Sequence, residues 1–474
     1  MAGGVVLKLL SITSPKNTVL LVLTCLLQAA VLVLPIPFMG VVPVAFLVLI
    51  IISAFVVVSS VSNAILFLIF ASTVIPGYVS QEYLILPIDF KFAEGLFLAV
   101  MFLALLTALK DRVGLPATQL DRPVTVFLFL VVASCVIGVY LGHSISQLLR
   151  DVRYPFYYAL FFVVTAFFPR GRHKTLIYVI LAISAVVAIE YLAEFLSAIN
   201  LSISGTFERV ARIEGLLLPI GALVIGAAWL YAPGRHVRLV SGLALIPIGL
   251  SFVLTVGRGM WISAVAGFGA LGLLYLFDRQ RVDFRNVLMT VSVPVLIVVM
   301  GLAFQAATKT GVVAVAARRL ARIQTFEEDH SISGRLVSYQ NALTKIARRP
   351  IVGGGHGETV SFPVVKTAVP HVAVLGAVDN VYLTILLRMG GLGLAAFLWI
   401  YFRGLRLAYN LFQHSQEQSE RFFAAAFVAV YSAMLVYGLA DSTLMTTRLI
   451  FIHAVLLGVL ARLTADREDA WSIT

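Results

Sequence analysis

The sequence predicts an all-α polytopic membrane protein of about fourteen transmembrane helices with one large extracytoplasmic helical loop. Two observations carry that class. Apolar residues make up 60% of the 474 positions and the mean hydropathy is +1.00, while charged residues make up only 12%. A soluble domain carries roughly 25% charge, so too little is present here to coat a folded globule. A disordered chain would be polar and poor in aromatics, which this one is not. The second observation is span arithmetic. A helix crossing a bilayer needs about 20 apolar residues, and fourteen would use about 280 positions, close to the apolar content.

Continuous apolar runs, broken by Pro, Gly and charge clusters, place the spans in order. They are 18–34, 41–58, 62–76, 92–109, 123–141, 155–169, 174–196, 215–232, 237–254, 259–277, 287–305, 380–402, 421–440 and 446–463. Lys8 and Lys16 precede the first run and no small-residue cleavage site follows it, so it reads as an uncleaved span. Cys25 and Cys135 both lie inside apolar runs, which leaves neither a disulfide framework nor a metal cluster to expect. The net charge of +12 points to anionic lipid and orientation bias rather than to nucleic acid.

Short loops set the orientation. With a cytoplasmic N-terminus, 18 basic residues fall on the cytoplasmic side and seven in the short loops opposite. This positive-inside bias places both termini in the cytoplasm of a plasma membrane. It divides the chain into helices over 1–305, an extracytoplasmic loop domain over 306–379, and helices again over 380–474. The loop domain carries nine basic residues against five acidic ones, an excess that asks for an anionic partner. Within it, Leu336, Tyr339, Leu343 and Ile346 are spaced like one face of a helix over Ser333–Arg349. Ser331 or Ser333 could cap that helix and Pro350 ends it, just before the glycine-rich turn Gly353-Gly354-Gly355-His356-Gly357. Glu327-Glu328-Asp329 reads as a solvated turn rather than a metal site.

Few charges remain to carry chemistry. Arg150, Arg153, Arg209, Arg212 and Arg258 sit at outer span ends, where a guanidinium costs orientation energy but suits a diphosphate. The plainer role for each is a lipid headgroup contact or a helix cap. Gly257 and Gly259 flank Arg258 and would let a ligand approach the backbone. Glu190 and Glu194 lie one turn apart inside a span, and Arg388 lies about 12 Å into another, at 1.5 Å per residue. Such charges mark either a cavity or a structural Glu–Arg pair between helices. Asp379 stands where the loop domain returns to the membrane, in Asp379-Asn380-Val381-Tyr382-Leu383. It could cap the next helix or act as a general base on a sugar hydroxyl, with His356 as a second candidate.

In sum the chain resembles the O-antigen ligase/polymerase superfamily of polytopic glycosyltransferases. The resemblance runs through Arg212-Ile213-Glu214-Gly215, Gly257-Arg258-Gly259-Met260-Trp261 and Gly334-Arg335-Leu336. It continues through Arg349-Pro350-Ile351-Val352-Gly353-Gly354-Gly355-His356-Gly357, Asp379-Asn380-Val381-Tyr382-Leu383 and Gly390-Gly391-Leu392-Gly393, covering roughly residues 200–400. It implies a C-type glycosyltransferase-like architecture and a metal-independent transfer between undecaprenyl-diphosphate-linked glycans on the outer leaflet, with no cofactor. It assigns catalysis to Asp379, helped by His356, and diphosphate binding to Arg212, Arg258 and Arg335; Arg153, before the resembling stretch, is added as a diphosphate candidate on its outer position. Glu190, Glu194, Arg388, Asn380 and Tyr382 would line the substrate cavity.

In that family the residue before the Asn is commonly His, especially in ligases. Asp379 therefore favours a polysaccharide polymerase that joins lipid-linked repeat units, as in O-antigen or exopolysaccharide synthesis. The alternatives are an O-antigen ligase with lipid A–core as acceptor, and a flippase or transporter using the intramembrane charges. Expected partners are the lipid-linked oligosaccharide and membrane lipids, with a chain-length regulator left open.

Overall fold

The computed structural model describes residues 60–74, 92–201, 213–232, 234–255, 257–278, 283–308, 330–364, 371–446 and 449–465. The expected spans at 18–34 and 41–58, and the arginines Arg209 and Arg212, lie outside the described residues. What is described is a helical bundle with the composition of a polytopic membrane protein. Among the described residues, eight helices are long and apolar enough to cross a membrane, and three shorter apolar helices accompany them.

In chain order the helices are α1 (Val61–Val74), α2 (Phe92–Asp111), α3 (Asp121–Tyr140), α4 (Ile145–Phe156), α5 (Leu160–Phe167) and α6 (His173–Leu201). After a 3-10 turn at Ile213–Leu216 come α7 (Leu217–Tyr231), α8 (Arg235–Leu254), α9 (Arg258–Leu276) and α10 (Phe284–Thr308). The loop domain contributes α11 (His330–Arg348), β1 (Val360–Val364) and β2 (His371–Leu375). The chain then returns through α12 (Val381–His414), α13 (Gln418–Tyr437), the single turn α14 (Thr443–Thr446) and α15 (Ile450–Thr464).

Hydrophobicity on all sides makes these helices bury one face on each other and leave the other to lipid. Phe70, Phe161, Phe397, Phe423 and Tyr431 are fully buried, whereas Phe102, Phe129, Val265 and Leu276 are exposed. Tyr401, Tyr431 and His453 stack at the centre, with ring centroids 4.6–5.2 Å apart.

Polar contacts sort the helix ends into two sets. Arg172 donates to Ser62 and Asn63, Arg170 to the Arg462 carbonyl, Lys174 pairs with Glu417, and Arg421 pairs with Asp278. At the other end Arg153 pairs with Glu94, and Asn380 donates to the Leu439 carbonyl. The first set gathers ends assigned to the cytoplasm from the basic-residue bias; the second gathers ends assigned outside.

Three expectations for the loop domain are corrected. It is not purely helical, because β1 and β2 form an antiparallel hairpin with Val360 opposite Leu375 and Val364 opposite His371. Helix α11 begins at His330, so Ser331 and Ser333 fall inside its first turns rather than ahead of them. Its buried face centres between Tyr339 and Ala342, packing with Ile346 on Val360, Val378 and Leu387. At about 100° per residue, Leu336 and Leu343 lie at the edge of that face, and both are exposed.

Candidate functional site

Helix α12 is broken, and the break explains the glycine motifs. Gly390 has φ 61° and ψ −165° inside an otherwise helical run. A break within a membrane helix strands backbone groups that lipid cannot satisfy. Here the turn after α11 satisfies them. The freed carbonyls of Leu387 and Arg388 accept from the Gly354 and Gly355 N–H groups at 2.8 and 2.9 Å. The freed N–H groups of Gly391 and Leu392 donate to the carbonyls of Pro350 and Ile351 at 2.8 and 3.2 Å. Two backbones this close exclude side chains: a Cβ on Gly390 would lie 2.3 Å from the Ile351 oxygen, and one on Gly353 would lie 2.5 Å from the Arg388 carbonyl carbon. Gly353 also has φ +75°, in the left-handed region that glycine tolerates.

A buried ion pair locks this turn. Arg388 Nη2 lies 2.9 Å from Asp151 Oδ1 and also donates to the Gly376 carbonyl. Asp151 accepts further from Gln147 at 3.0 Å and from the Gly357 N–H at 3.2 Å. Burial pushes the Asp151 carboxyl upward, opposed by the Arg388 charge and the bonds from Gln147 and Gly357. Arg388 thus has an aspartate partner from α4, not the glutamate on α6 that an interhelical Glu–Arg pair would require. Glu190 is half-buried and Glu194 exposed on α6, either side of Tyr191.

His356 belongs to the same packed region. It is 1% exposed, its N–H donates to the Ser134 carbonyl, and neither ring nitrogen has a hydrogen-bond partner. Burial first, and the nearby Arg388 charge second, lower its pKa to about 3. The residue expected as an auxiliary base therefore sits as a neutral ring against α3, closed off from the outer surface. Arg153 is also committed: it meets Glu94 at 2.5 Å. Burial works to lower its pKa, but the Glu94 bond and charge raise it overall.

Asp379 is placed differently. Its carboxylate receives the Arg335 Nε–H at 2.9 Å, and its carbonyl accepts from the Tyr339 hydroxyl at 2.5 Å. The expected cap role falls instead to Asn380, whose side-chain oxygen accepts from the Leu383 N–H at 3.0 Å. The neighbouring Val381 N–H donates to the Gly438 carbonyl at 2.8 Å. Tyr382 points into the bundle, where its hydroxyl donates to the Leu435 carbonyl at 2.5 Å.

The turn 438–441 also receives the start of α9. A Cβ on Gly259 would meet Ala440 at 3.3 Å and the Tyr437 ring at 3.5 Å, so this glycine serves helix packing rather than ligand approach. Gly215 in turn abuts Met260 and Tyr191. The starts of α9 and α12, the end of α13 and one face of α11 thereby converge. Arg258 opens α9, Arg335 lies within α11, and Asp379 and Asn380 directly precede α12.

Sequence reasoning missed Tyr339 and Asp151. Burial raises the Tyr339 hydroxyl, Arg335 opposes, and the Asp379 and Asp441 charges add to the rise, which places it among the site's charged groups. Its signal was a hydroxyl on an otherwise aliphatic face. Asp151 stands between Arg150 and Arg153 before a span, and no local pattern marks it.

The fold and this end of the bundle define a polytopic membrane protein with one elaborated, charge-bearing face. Residues 242–398 match the family model described as O-antigen ligase, and over that stretch the chain is similar to the O-antigen ligase/polymerase superfamily. The match holds Arg258, Arg335, His356, Asp379, Asn380, Tyr382 and Arg388, and leaves Arg153, Glu190, Glu194 and Arg212 outside. Members of this family are glycosyltransferase-like enzymes. No curated protein matches the chain.

Proposed function

We propose that the chain is a polysaccharide polymerase that joins undecaprenyl-diphosphate-linked repeat units on the outer face of a bacterial plasma membrane. The observation that carries this reading is the exposed Asp379–Arg335 pair at the start of α12, beside the α9 start that bears Arg258. In the resting site Arg335 holds Asp379. A donor diphosphate offers the guanidinium a competing fork-shaped partner, so its arrival draws Arg335 away and releases the carboxylate.

Asp379 then takes the proton of the acceptor hydroxyl as that oxygen attacks the anomeric carbon of the growing chain. The bond from that carbon to the diphosphate oxygen breaks, and its electron pair leaves with undecaprenyl diphosphate. Arg258, Arg335 and Arg212 stabilise the charge developing there. Asp379 returns its proton to water. The donor is already activated, so the proposed reaction needs neither nucleotide nor metal. The loop domain over 306–379 covers the diphosphate, and lipid-facing helices hold the polyprenyl tail.

An aspartate in place of the family's usual histidine favours polymerase over ligase. The ligase reading, with lipid A–core as acceptor, is the second, and the family description favours it. Purified protein given a lipid-linked repeat unit alone separates the two. Stepwise chain extension is expected; transfer only when lipid A–core is added would reverse the assignment. Retention of polymer formation in cells by both Arg258→Ala and Asp379→Ala would remove the glycosyltransferase site altogether.

A further inference from the structure

At the end of the bundle away from Asp379, a cleft of about 570 Å³ opens between α8, α10 and α13. Gly234, Arg235, Arg238, Arg285, Met289 and Gln418 line it. Three helices start there: α8 at Arg235, α10 at Phe284 and α13 at Gln418. Each helix start presents the positive end of its dipole, and those of α8 and α13 also present N–H donors without a side-chain cap. The caps of α8 and α13, Gly234 and Glu417, make no side-chain capping bond.

Three guanidiniums join those dipoles. Arg238 is fixed by its bond to Asn286 at 3.1 Å, while its buried Nε has no hydrogen-bond partner. Arg235 and Arg285 are exposed. Glu417 pairs with Lys174 at 3.4 Å and accepts from Ser419, and Asp283 caps α10 by accepting the Arg285 backbone N–H at 3.1 Å. Directly along the membrane direction, α8 exposes Leu239 and Leu243, and α10 exposes Leu288 and Val291. A cationic cleft that opens onto lipid-facing apolar side chains matches a molecule with a phosphate head and hydrocarbon tails.

We propose that this cleft binds the phosphate headgroup of an anionic diacyl phospholipid, with its acyl chains along α8 and α10. The site is separate from the glycosyltransferase reading and does not depend on it.

The test uses the full chain in phosphatidylcholine nanodiscs, with phosphatidylglycerol added and lipid retention read by native mass spectrometry. Phosphatidylglycerol is expected to be retained over phosphatidylcholine. The doubly substituted Arg235→Gln, Arg285→Gln protein should lose that retention by about tenfold or more, and each single variant by several-fold. Both positions are exposed, and the single variants keep the test alive if the double fails to fold. Arg406→Gln, an arginine outside the cleft at the same end, should leave retention unchanged. Equal retention by the cleft variants would overturn the proposal, as would an equal loss in Arg406→Gln. Protection against thermal unfolding by inorganic phosphate as strong as that by phosphatidylglycerol would also overturn it, since the tails would then contribute nothing.

Discussion

Two aspartate–arginine pairs lie on one end of this molecule and close at the same 2.9 Å. Asp151–Arg388 does so with side chains 7% and 4% exposed, Asp379–Arg335 with side chains 54% and 39% exposed. Their distances are identical, so burial and company tell them apart. The buried pair is held further by Gln147, Gly357 and Gly376, though the Arg388 Nε is buried without a hydrogen-bond partner, and it ties α4 and the loop domain to a broken membrane helix. The exposed pair is open to water and to competitors. A charge pair enclosed by protein holds a fold; one open to water can exchange partners during chemistry.

The sharpest way to break this contrast is to remove one member of the buried pair. Arg388→Ala leaves Asp151 buried without its counter-charge, which costs about 3–5 kcal/mol. Urea unfolding in detergent should show that loss, while replacing both residues together by Leu and Met should cost less. A double variant as unstable as the single one would mean that the pair's charges are not what holds the turn.

Removing Asp379 should act on rate and not on fold. Loss of a positioned general base costs about 10²–10⁴ in turnover. The exposed pair it breaks contributes only about 0–1 kcal/mol. Asp379→Asn should therefore abolish chain extension on a lipid-linked repeat unit while its unfolding midpoint stays near that of the parent. A large drop in the midpoint would make the exposed pair structural, and the contrast would fail.

His356 gives a third handle, through pH. Its ordinary value is 6.5, and burial holds it near 3 in the folded chain. A depressed histidine contributes stability that is complete above 6.5 and drains away as pH falls toward 3, because the unfolded chain takes up the proton first. The slope is about 1.4 kcal/mol per pH unit for one group. His356→Leu should flatten the acid limb of stability against pH by that amount. An unchanged limb would place the proton uptake elsewhere and return His356 to the list of accessible bases.

How much of this was legible in sequence follows from which forces are local. Apolar runs and basic loops reflect each residue's own transfer energy, so the eight long apolar helices among the described residues fall where hydropathy puts them, whereas the expected span 155–169 instead holds the end of α4, a 3-10 turn at Tyr157–Ala159 and the short α5. The Asp379–Asn380 turn was legible as a helix start, but which residue caps depends on backbone angles that only the folded turn fixes. Gly353 and Gly390 were visible as glycines, yet the reason for them is a contact between segments about 40 residues apart from end to end. Nothing in the local pattern distinguishes a glycine that admits a ligand from one that admits a second backbone. Asp151 and Arg388 lie far apart in sequence, and pairing across such a gap leaves no periodicity to read. The orientation of α11 was right to within part of a turn, which still exchanged Leu336 and Leu343 for Ala342 on its buried face.

The smallest expected effect is also the most specific test of the exposed pair. Arg335→Lys keeps a positive charge opposite Asp379 but replaces a planar fork by a compact ammonium. If Arg335 only neutralises the aspartate, lysine should serve almost as well, and both turnover and stability should hardly move. If instead it exchanges from carboxylate to diphosphate, lysine loses the two-bond geometry on the leaving group, and turnover should fall by about tenfold while stability changes by less than about 1 kcal/mol. The effect should also fall on kcat rather than KM, because the diphosphate carries its greatest charge as it leaves. A change confined to KM would show that Arg335 binds the resting donor and takes no part in the departure of the lipid diphosphate. Release of Asp379 on donor arrival would then stand, and stabilisation of the leaving group would fall to Arg258 and Arg212 alone.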